Sequence, residues 1–360
     1  MSLPTDTPIA LALSGGGIRA MVFHLGVLRF LAEQGRLEDI RCISSVSGGS
    51  LVTGLIFQEG GMRWPNSREF LSNVYPALRE RLGQRSMQWG ALRELLRLTN
   101  LRFLLSRANL LAGALKREWR ISHRLADLPS VPEWSINGTN AENGRRFRFK
   151  LDGMGDYRTG YAAPGNFPLA NAMAVSAAFP GGFGPLSLRA DRFEWRRRDW
   201  DAPLEAMQMV RPPRILHLYD GGVYDNLGIE SFFDPGRART KKPGHFILVS
   251  DAGMPLADGL AASALNPFRL KRVADIMSDQ AHALRIRTFH HYLQQAPGQG
   301  AFLYIAGATS TGGAAERDFA ATFPTTLRKV SGATFDRISS HGYHVAQDQL
   351  SGPVPTCQPS

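Results

Sequence analysis

The stretch Ile9-Ala10-Leu11-Ala12-Leu13-Ser14-Gly15-Gly16-Gly17-Ile18-Arg19 sets the fold. Five apolar residues, Ile9 to Leu13, are too short a run for a helix and suit a buried strand. The glycines form a loop, and Met21, Leu25, Leu28, Leu31 and Ala32 then recur at the three- and four-residue spacing of a helix. The same order repeats at once. Ile40 to Ser44 reads as a strand, Ser45-Val46-Ser47-Gly48-Gly49 as a sharp turn, and about Ser50 to Phe57 as an apolar helix. Alternating strands and helices predict a layered α/β domain.

The second turn has the form of a nucleophile elbow, in which a serine on a tight strand-to-helix turn projects its hydroxyl near the positive end of the following helix. Ser47 takes the serine's place. The residues two before and two after it pass close together and must be small; here they are Ser45, where glycine is usual, and Gly49. An attacking serine also needs N–H donors aimed at the oxygen that becomes negative, and loss of one such donor costs about 100- to 1,000-fold in rate. The glycine loop one strand away can present them without side-chain obstruction.

Far downstream, the strand-like run Ile215 to Tyr219 ends in Asp220-Gly221-Gly222, placing Asp220 at a strand's C-terminal end, where open α/β sheets handle ligands. The block Ser14 to Met21, the elbow at Ser47, the small-residue block Ala174-Val175-Ser176-Ala177-Ala178-Phe179-Pro180 and this Asp-Gly-Gly motif together resemble the patatin-like phospholipases. The glycine block is also similar to that of cytosolic phospholipase A2. The resemblance implies a three-layer fold with a central, mostly parallel sheet flanked by helices. It implies a lipid acyl hydrolase, a phospholipase A or lysophospholipase, working without a cofactor or metal through a Ser47–Asp220 dyad. Gly16 and Gly17 would form the oxyanion hole, and Arg19 would bind substrate phosphate or support the loop. Gly15, Gly49, Gly221 and Gly222 would hold the motifs in shape. Ser45 in place of glycine, and Ser14 in place of the aspartate of plant patatins, depart from the pattern.

Because Ser47 and Asp220 must meet, most of the 360 residues are expected in one catalytic domain. Its motifs span 8–255, with a helical basic insertion at about 62–125, C-terminal helices and a strand over 256–352, and a disordered tail over 353–360. Hydrophobic residues make up 43% of the chain, enough for a core, yet no run approaches the roughly 18 uncharged apolar residues of a membrane span. Met1 to Thr7 shows no basic region leading into a hydrophobic segment, so no signal peptide is expected. Cys42 and Cys357 are too few for a disulfide framework, and Cys42 falls in a predicted core strand as an inert thiol. A cytoplasmic enzyme, peripheral at the membrane, is the resulting expectation.

Net charge is +11, and the span from Met62 to Leu125 holds 12 arginines and Lys116 against Glu69, Glu80, Glu94 and Glu118. Between Trp89 and Trp119, Leu92, Leu95, Leu96, Phe103, Leu104, Leu110, Leu111 and Leu115 interleave with Arg93, Arg97, Arg102, Arg107 and Arg117. This basic amphipathic stretch is either a helix pair packed on the core or a cap facing an anionic membrane. A phospholipid or lysophospholipid substrate and an anionic surface, with no nucleic acid, are the expected partners.

The remaining chain reads as strands at Trp134 to Asn137 and Arg146 to Lys150 with a turn at Asn137-Gly138-Thr139-Asn140 between them, and a small-residue helix over Pro168 to Phe179. A loop follows at Pro180 to Pro185, then the Ile215 strand, read as buried, and a short helix over Asn226 to Phe233. A strand at Phe246 to Ser250, a long helix at about Pro267 to Leu293, a strand at Phe302 to Ile305 and a final helix at Phe335 to Gln349 complete the chain. Two rival readings of the site remain. A Ser-His-Asp triad could draw on His341 or His344, which follow Asp220 in the required order. A non-catalytic nucleotide or lipid binder could use the glycine loop, but Glu33 and Glu38 are poorly placed for a ribose. His290 and His291 project about 100° apart on a helix and make a poor metal chelate.

Overall fold

The computed structural model describes residues 3–95, 107–180, 184–198, 206–259 and 268–351. The glycine loop divides β1 (Ile9–Leu13) from α1 (Gly17–Glu33), and the serine turn divides β2 (Ile40–Ser45) from α2 (Gly48–Glu59). The basic segment folds as α3 (Ser67–Glu69), a π turn over Phe70–Val74, α4 (Tyr75–Gln84), α5 (Met87–Leu95) and α6 (Ala108–Glu118). An antiparallel series begins with β3 (Glu133–Asn140), β4 (Arg145–Phe149), β5 (Met154–Asp156) and β6 (Gly160–Ala162). After α7 (Leu169–Ser176) come β7 (Leu186–Arg189), β8 (Trp195–Arg197), β9 (Gln208–Val210) and β10 (Ile215–Asp220). A short α8 (Gly222–Asp225) and a small hairpin, β11 (Phe233–Asp234) and β12 (Arg239–Thr240), lead to β13 (Phe246–Asp251). The chain closes with α9 (Phe268–Gln295), β14 (Gly300–Tyr304), α10 (Gly313–Thr322) and α11 (Gly332–Leu350).

The central sheet flanked by helices is as expected. Its core is parallel, in the order β14, β13, β1, β2, β3, and β4, β5, β6, β8 and β9 extend it antiparallel. The alternation in β1 separates the layers, since successive strand residues point to opposite faces. Ile9, Leu11 and Leu13 join the core with α1, α2 and α11, whereas Ala10 and Ala12 join a smaller core with Phe289 and Tyr292 of α9. Large residues face the thicker helical layer, and alanines let α9 come close.

Several elements differ from the sequence reading. Asn137 to Asn140 is strand, because β4 and β10 pair with it on its two edges; the reversal follows Ala141. β10 alternates exposed and buried residues instead of being buried throughout, since one face of it lies uncovered. Asn226 to Phe233 holds only a 3₁₀ turn, Ile229–Ser231. In the basic segment, Leu110, Leu111 and Leu115 are buried in the core while Trp89 and Leu92 are exposed, so α6 packs inward against the layer that holds α7. Leu96, Arg97, Arg102, Phe103 and Leu104 lie outside the described residues, as do Gly181 to Phe183, Trp200, Cys357 and the tail.

α1, which carries the glycine loop, is clamped by α11 through two glycines. A Cβ on Gly26 would collide with the Ser339 carbonyl oxygen, and one on Gly342 with the Phe23 carbonyl oxygen. The helix backbones therefore touch. Gly26→Val should cost at least about 1–3 kcal/mol, the usual effect of overpacking, and lower the urea midpoint. An unchanged midpoint would show that this contact does not hold α1.

Candidate functional site

β3 positions the site by lending one edge to two strands. β2 runs parallel to its first half and ends with Ser45 opposite Ile136; β10 runs antiparallel to its second half and ends with Asp220 opposite Gly138. The two strands therefore meet nearly head to head. Gly221 permits the exit of β10, because a Cβ there would lie 2.5 Å from the Asn137 carbonyl oxygen.

Beyond β2 the chain turns sharply. Ser47 has φ 49° and ψ −117°, a strained conformation for a residue with a side chain. Its N–H donates to both the carbonyl and the hydroxyl oxygen of Ser176, each at 3.0 Å. Gly49 lets α2 pass the end of β1, since a Cβ there would sit 2.5 Å from the Leu13 carbonyl oxygen. Ser45 is more than a small residue that fits. Its hydroxyl accepts from Trp134 Nε1 at 2.8 Å and bonds the Ser50 hydroxyl at 2.8 Å, which in turn bonds that of Ser176 at 2.8 Å. A buried chain of hydroxyls thus braces the turn from β2 to α7.

The glycine loop nests against this elbow. A Cβ on Gly15 would collide with Asn226 Oδ1 and come within 3.1 Å of Ser47 Cβ. Gly16 (φ 145°) and Gly17 (φ 60°) hold backbone conformations that side chains disfavour, and a Cβ on Gly17 would lie 2.5 Å from the Thr326 carbonyl oxygen. The Gly15 N–H donates to the Asn226 carbonyl at 3.1 Å, while those of Gly16 and Gly17 have no partner among the described residues. Ser14 is anchored: its N–H donates to the Ser250 carbonyl, and its Oγ accepts from the Ala252 N–H at 2.7 Å.

Under the loop lie two buried cationic-type side chains. Arg19, 1% exposed, donates from Nε to the Ala252 carbonyl at 3.1 Å and from Nη1 to the Phe323 carbonyl at 2.6 Å. Burial lowers its pKa to about 10, opposed by nearby Asp251, and it remains protonated at neutral pH. His24 Nε2 meets the Ser14 carbonyl at 3.0 Å and Nδ1 meets Ser250 Oγ at 2.8 Å. A carbonyl only accepts, so Nε2 carries the proton and Nδ1 accepts from the serine. Burial lowers the His24 pKa to about 4 and keeps the ring neutral.

Asp220 is 3% exposed. Burial raises its pKa to about 7, opposed by the Gly222 N–H, 2.7 Å from Oδ1, and by the nearby Ser47 side chain. Ser47 and Asp220 are thus brought together, with Gly15, Gly16, Gly17, Gly49, Gly221 and Gly222 around them. His341 is not among them. It is buried on α11, with Nε2 2.6 Å from the Ile305 carbonyl and its ring 6.1 Å from that of Phe23, and His344 meets neighbouring Tyr343 edge to face. His341 takes a packing role, its ring filling the α1–α11 layer.

Asn226, Ser176, Trp134, His24 and the pair His282–Asp251 escaped the sequence reading. Asn226 follows Asp220 by six residues in a segment read as helix, and the others act across contacts that no local spacing reveals. Among the described residues no three His, Cys, Asp or Glu side chains gather to hold a metal ion.

The sequence pattern of the patatin-like phospholipases matches residues 11–233, and no curated protein matches the chain. Human GIVD cytosolic phospholipase A2 shares the fold at TM-score 0.55 and 15% identity, covering 95% of this chain and 61% of that one. The same human protein in complex with methyl gamma-linolenyl fluorophosphonate inhibitor and terbium chloride gives TM-score 0.52 and 16% identity, covering 95% and 58%. The chain thus spans about three fifths of the length of these structures.

The raised Asp220 pKa has a consequence for stability. Between the ordinary carboxylate pKa, near 4, and about 7, the folded state holds a proton that the unfolded state has released, so stability falls as pH rises through this window. Asp220→Asn removes the buried charge while still accepting from the Gly222 N–H. Its melting temperature should exceed the wild type's at pH 8 and match it at pH 4. Equal melting temperatures at pH 8 would place Asp220 in a better-solvated setting.

Proposed function

The chain belongs to the patatin-like phospholipase family, and from that membership we propose that it is a serine acyl hydrolase of membrane lipids, a phospholipase A or lysophospholipase, acting through Ser47 and Asp220. One observation carries the reading: a serine in strained backbone geometry lies beside a buried carboxylate whose pKa is raised to about 7. An unperturbed aspartate, near 4, is a poor base for a hydroxyl. At about 7 it is far better matched to the task and still partly ionised at neutral pH.

In the proposed reaction the Ser47 proton passes to Asp220 as Oγ bonds to the ester carbonyl carbon. The carbonyl oxygen takes the negative charge and is met by the N–H groups of Gly16 and Gly17 at the start of α1, whose dipole adds to their effect. Collapse of this intermediate expels the lysolipid or glycerol oxygen, which recovers the proton from Asp220. Water then attacks the acyl-serine by the same route, its proton going to Asp220 and returning to Ser47 as the fatty acid leaves. Arg19 supports the loop on this account, since its Nε and Nη1 already serve backbone carbonyls beneath Gly16. Substrate phosphate is left to other groups. His24 and Ser14 hold the loop to β13, and the serine chain from Ser45 to Ser176 holds the elbow. The inhibitor bound to the human phospholipase is a fluorophosphonate, the class that reacts with activated serines.

Ser47→Ala and Asp220→Asn should each lower kcat/KM on a soluble short-chain ester by at least about 1,000-fold, and the double variant should be no worse, because the pair acts as one unit. His344→Ala should change turnover less than about twofold, having no catalytic partner to lose. More than a few per cent of wild-type turnover in either single variant contradicts the dyad, and a large loss in His344→Ala would restore a triad.

A further inference from the structure

Over its first turns α9 leaves its large apolar residues exposed. Leu270, Val273, Met277 and Leu284 follow one another at helical spacing and are 80, 53, 68 and 58% exposed. Two polar side chains of the same helix reach toward the body of the protein instead: Arg272 Nη1 donates to the Ala257 carbonyl at 2.6 Å, and His282 Nε2 lies 2.9 Å from the fully buried Asp251. Only towards the C-terminus do Phe289 and Tyr292 give α9 an ordinary buried apolar side. A row of large apolar residues this exposed marks a surface with an apolar partner.

The same helix packs beside the segments that lead to the site. His282 Cε1 is 3.7 Å from the position of a Cβ on Gly253, and the Arg285 guanidinium lies 5.5 Å from the Tyr224 ring and 3.2 Å from Glu230. α9 therefore runs along the segments that leave Asp251 and Asp220. Those segments carry Met254 and Val223, both exposed. Phe179, also exposed, stands on the opposite flank, next to Ala178, whose carbonyl receives the Asp220 N–H. The helix also holds Arg269, Lys271, Arg272, Arg285 and Arg287 against Asp275 and Asp279, in a chain of net charge +11.

We infer that the exposed stripe of α9, with Val223, Met254 and Phe179, is the surface by which the protein docks on an anionic phospholipid bilayer, setting the Ser47 site against the lipid. The inference rests on the lipid-hydrolase reading above and assigns its membrane partner to α9, whereas the leucines of α6 are spent in the core. An exposed apolar stripe beside basic residues matches a bilayer interface, where apolar side chains enter the acyl boundary and cations meet the headgroups. A second copy of the chain fits less well. Seated on the stripe, it would cover Val223 and Met254, close the site, and bring two positively charged helices together.

The test uses vesicles of phosphatidylcholine mixed with phosphatidylglycerol and the double variant Leu270→Glu/Met277→Glu. Cosedimentation affinity and hydrolysis of vesicle lipid should both fall at least about tenfold, while the melting temperature holds and turnover of a soluble short-chain ester changes less than about twofold. Vesicle binding of Ser47→Ala, with and without the two substitutions, reads docking without turnover. If the unsubstituted protein binds vesicles through α9 yet hydrolyses no ester, the hydrolase reading fails and docking stands. Hydrolysis of soluble ester with unchanged vesicle binding in the double variant overturns the docking surface. So does a dimer, seen by sedimentation equilibrium, that the same variant splits without loss of vesicle binding.

Discussion

One edge of β3 cannot be paired twice over the same residues, and the site follows from that constraint. β2 occupies the edge as far as Ile136 and β10 from Gly138 onward, so each must leave the sheet where the other begins. The departing residues are the turn at Ser47 and the motif at Asp220. Both side chains are delivered to one point by hydrogen-bonded ladders, which are stiffer supports than loops. Enclosure between strand ends leaves Asp220 only 3% exposed, and that burial raises its pKa. Burying a carboxylate costs stability, and on the proposed reading the gain is a base matched to neutral pH.

The parts of the site within a few residues of a strand end were legible in the sequence. The glycine loop, the elbow and Asp-Gly-Gly each combine an apolar run with a turn that tolerates little but glycine, and Gly17, Gly49 and Gly221 meet backbone oxygens that forbid a side chain. That burial raises the basicity of Asp220 could not be read from neighbours in sequence, because its environment comes from β2, β3 and the residues just after α7. Ser45 shows the same limit. Its size was legible, while its bond to Trp134 depends on a strand 89 residues away. The antiparallel half of the sheet was hidden because its strands are short and mixed: Gln208–Val210 shows no alternation, and Asn137 to Asn140 has the composition of a turn yet is held as strand by partners on both sides. Pairing overrides composition there.

Amphipathic periodicity proved ambiguous in direction. α6 and α9 both place apolar residues at helical spacing among arginines, but Leu110, Leu111 and Leu115 point into the core and Leu270, Val273 and Met277 point out of it. The period fixes that a helix has an apolar side. What lies against that side is decided by tertiary packing, and here it moves the candidate lipid-facing surface from the basic segment to α9.

The most direct measurement of the central claim, that Ser47 is activated by a buried Asp220, is the rate of fluorophosphonate labelling as a function of pH, with the adduct mapped by peptide mass spectrometry. The account predicts a single adduct on Ser47, with a labelling rate that rises through an apparent pKa of about 7 as Asp220 loses its proton, and a rate that is slow and flat with pH in Asp220→Asn. An adduct on another serine, or an unchanged pH profile in Asp220→Asn, would contradict it.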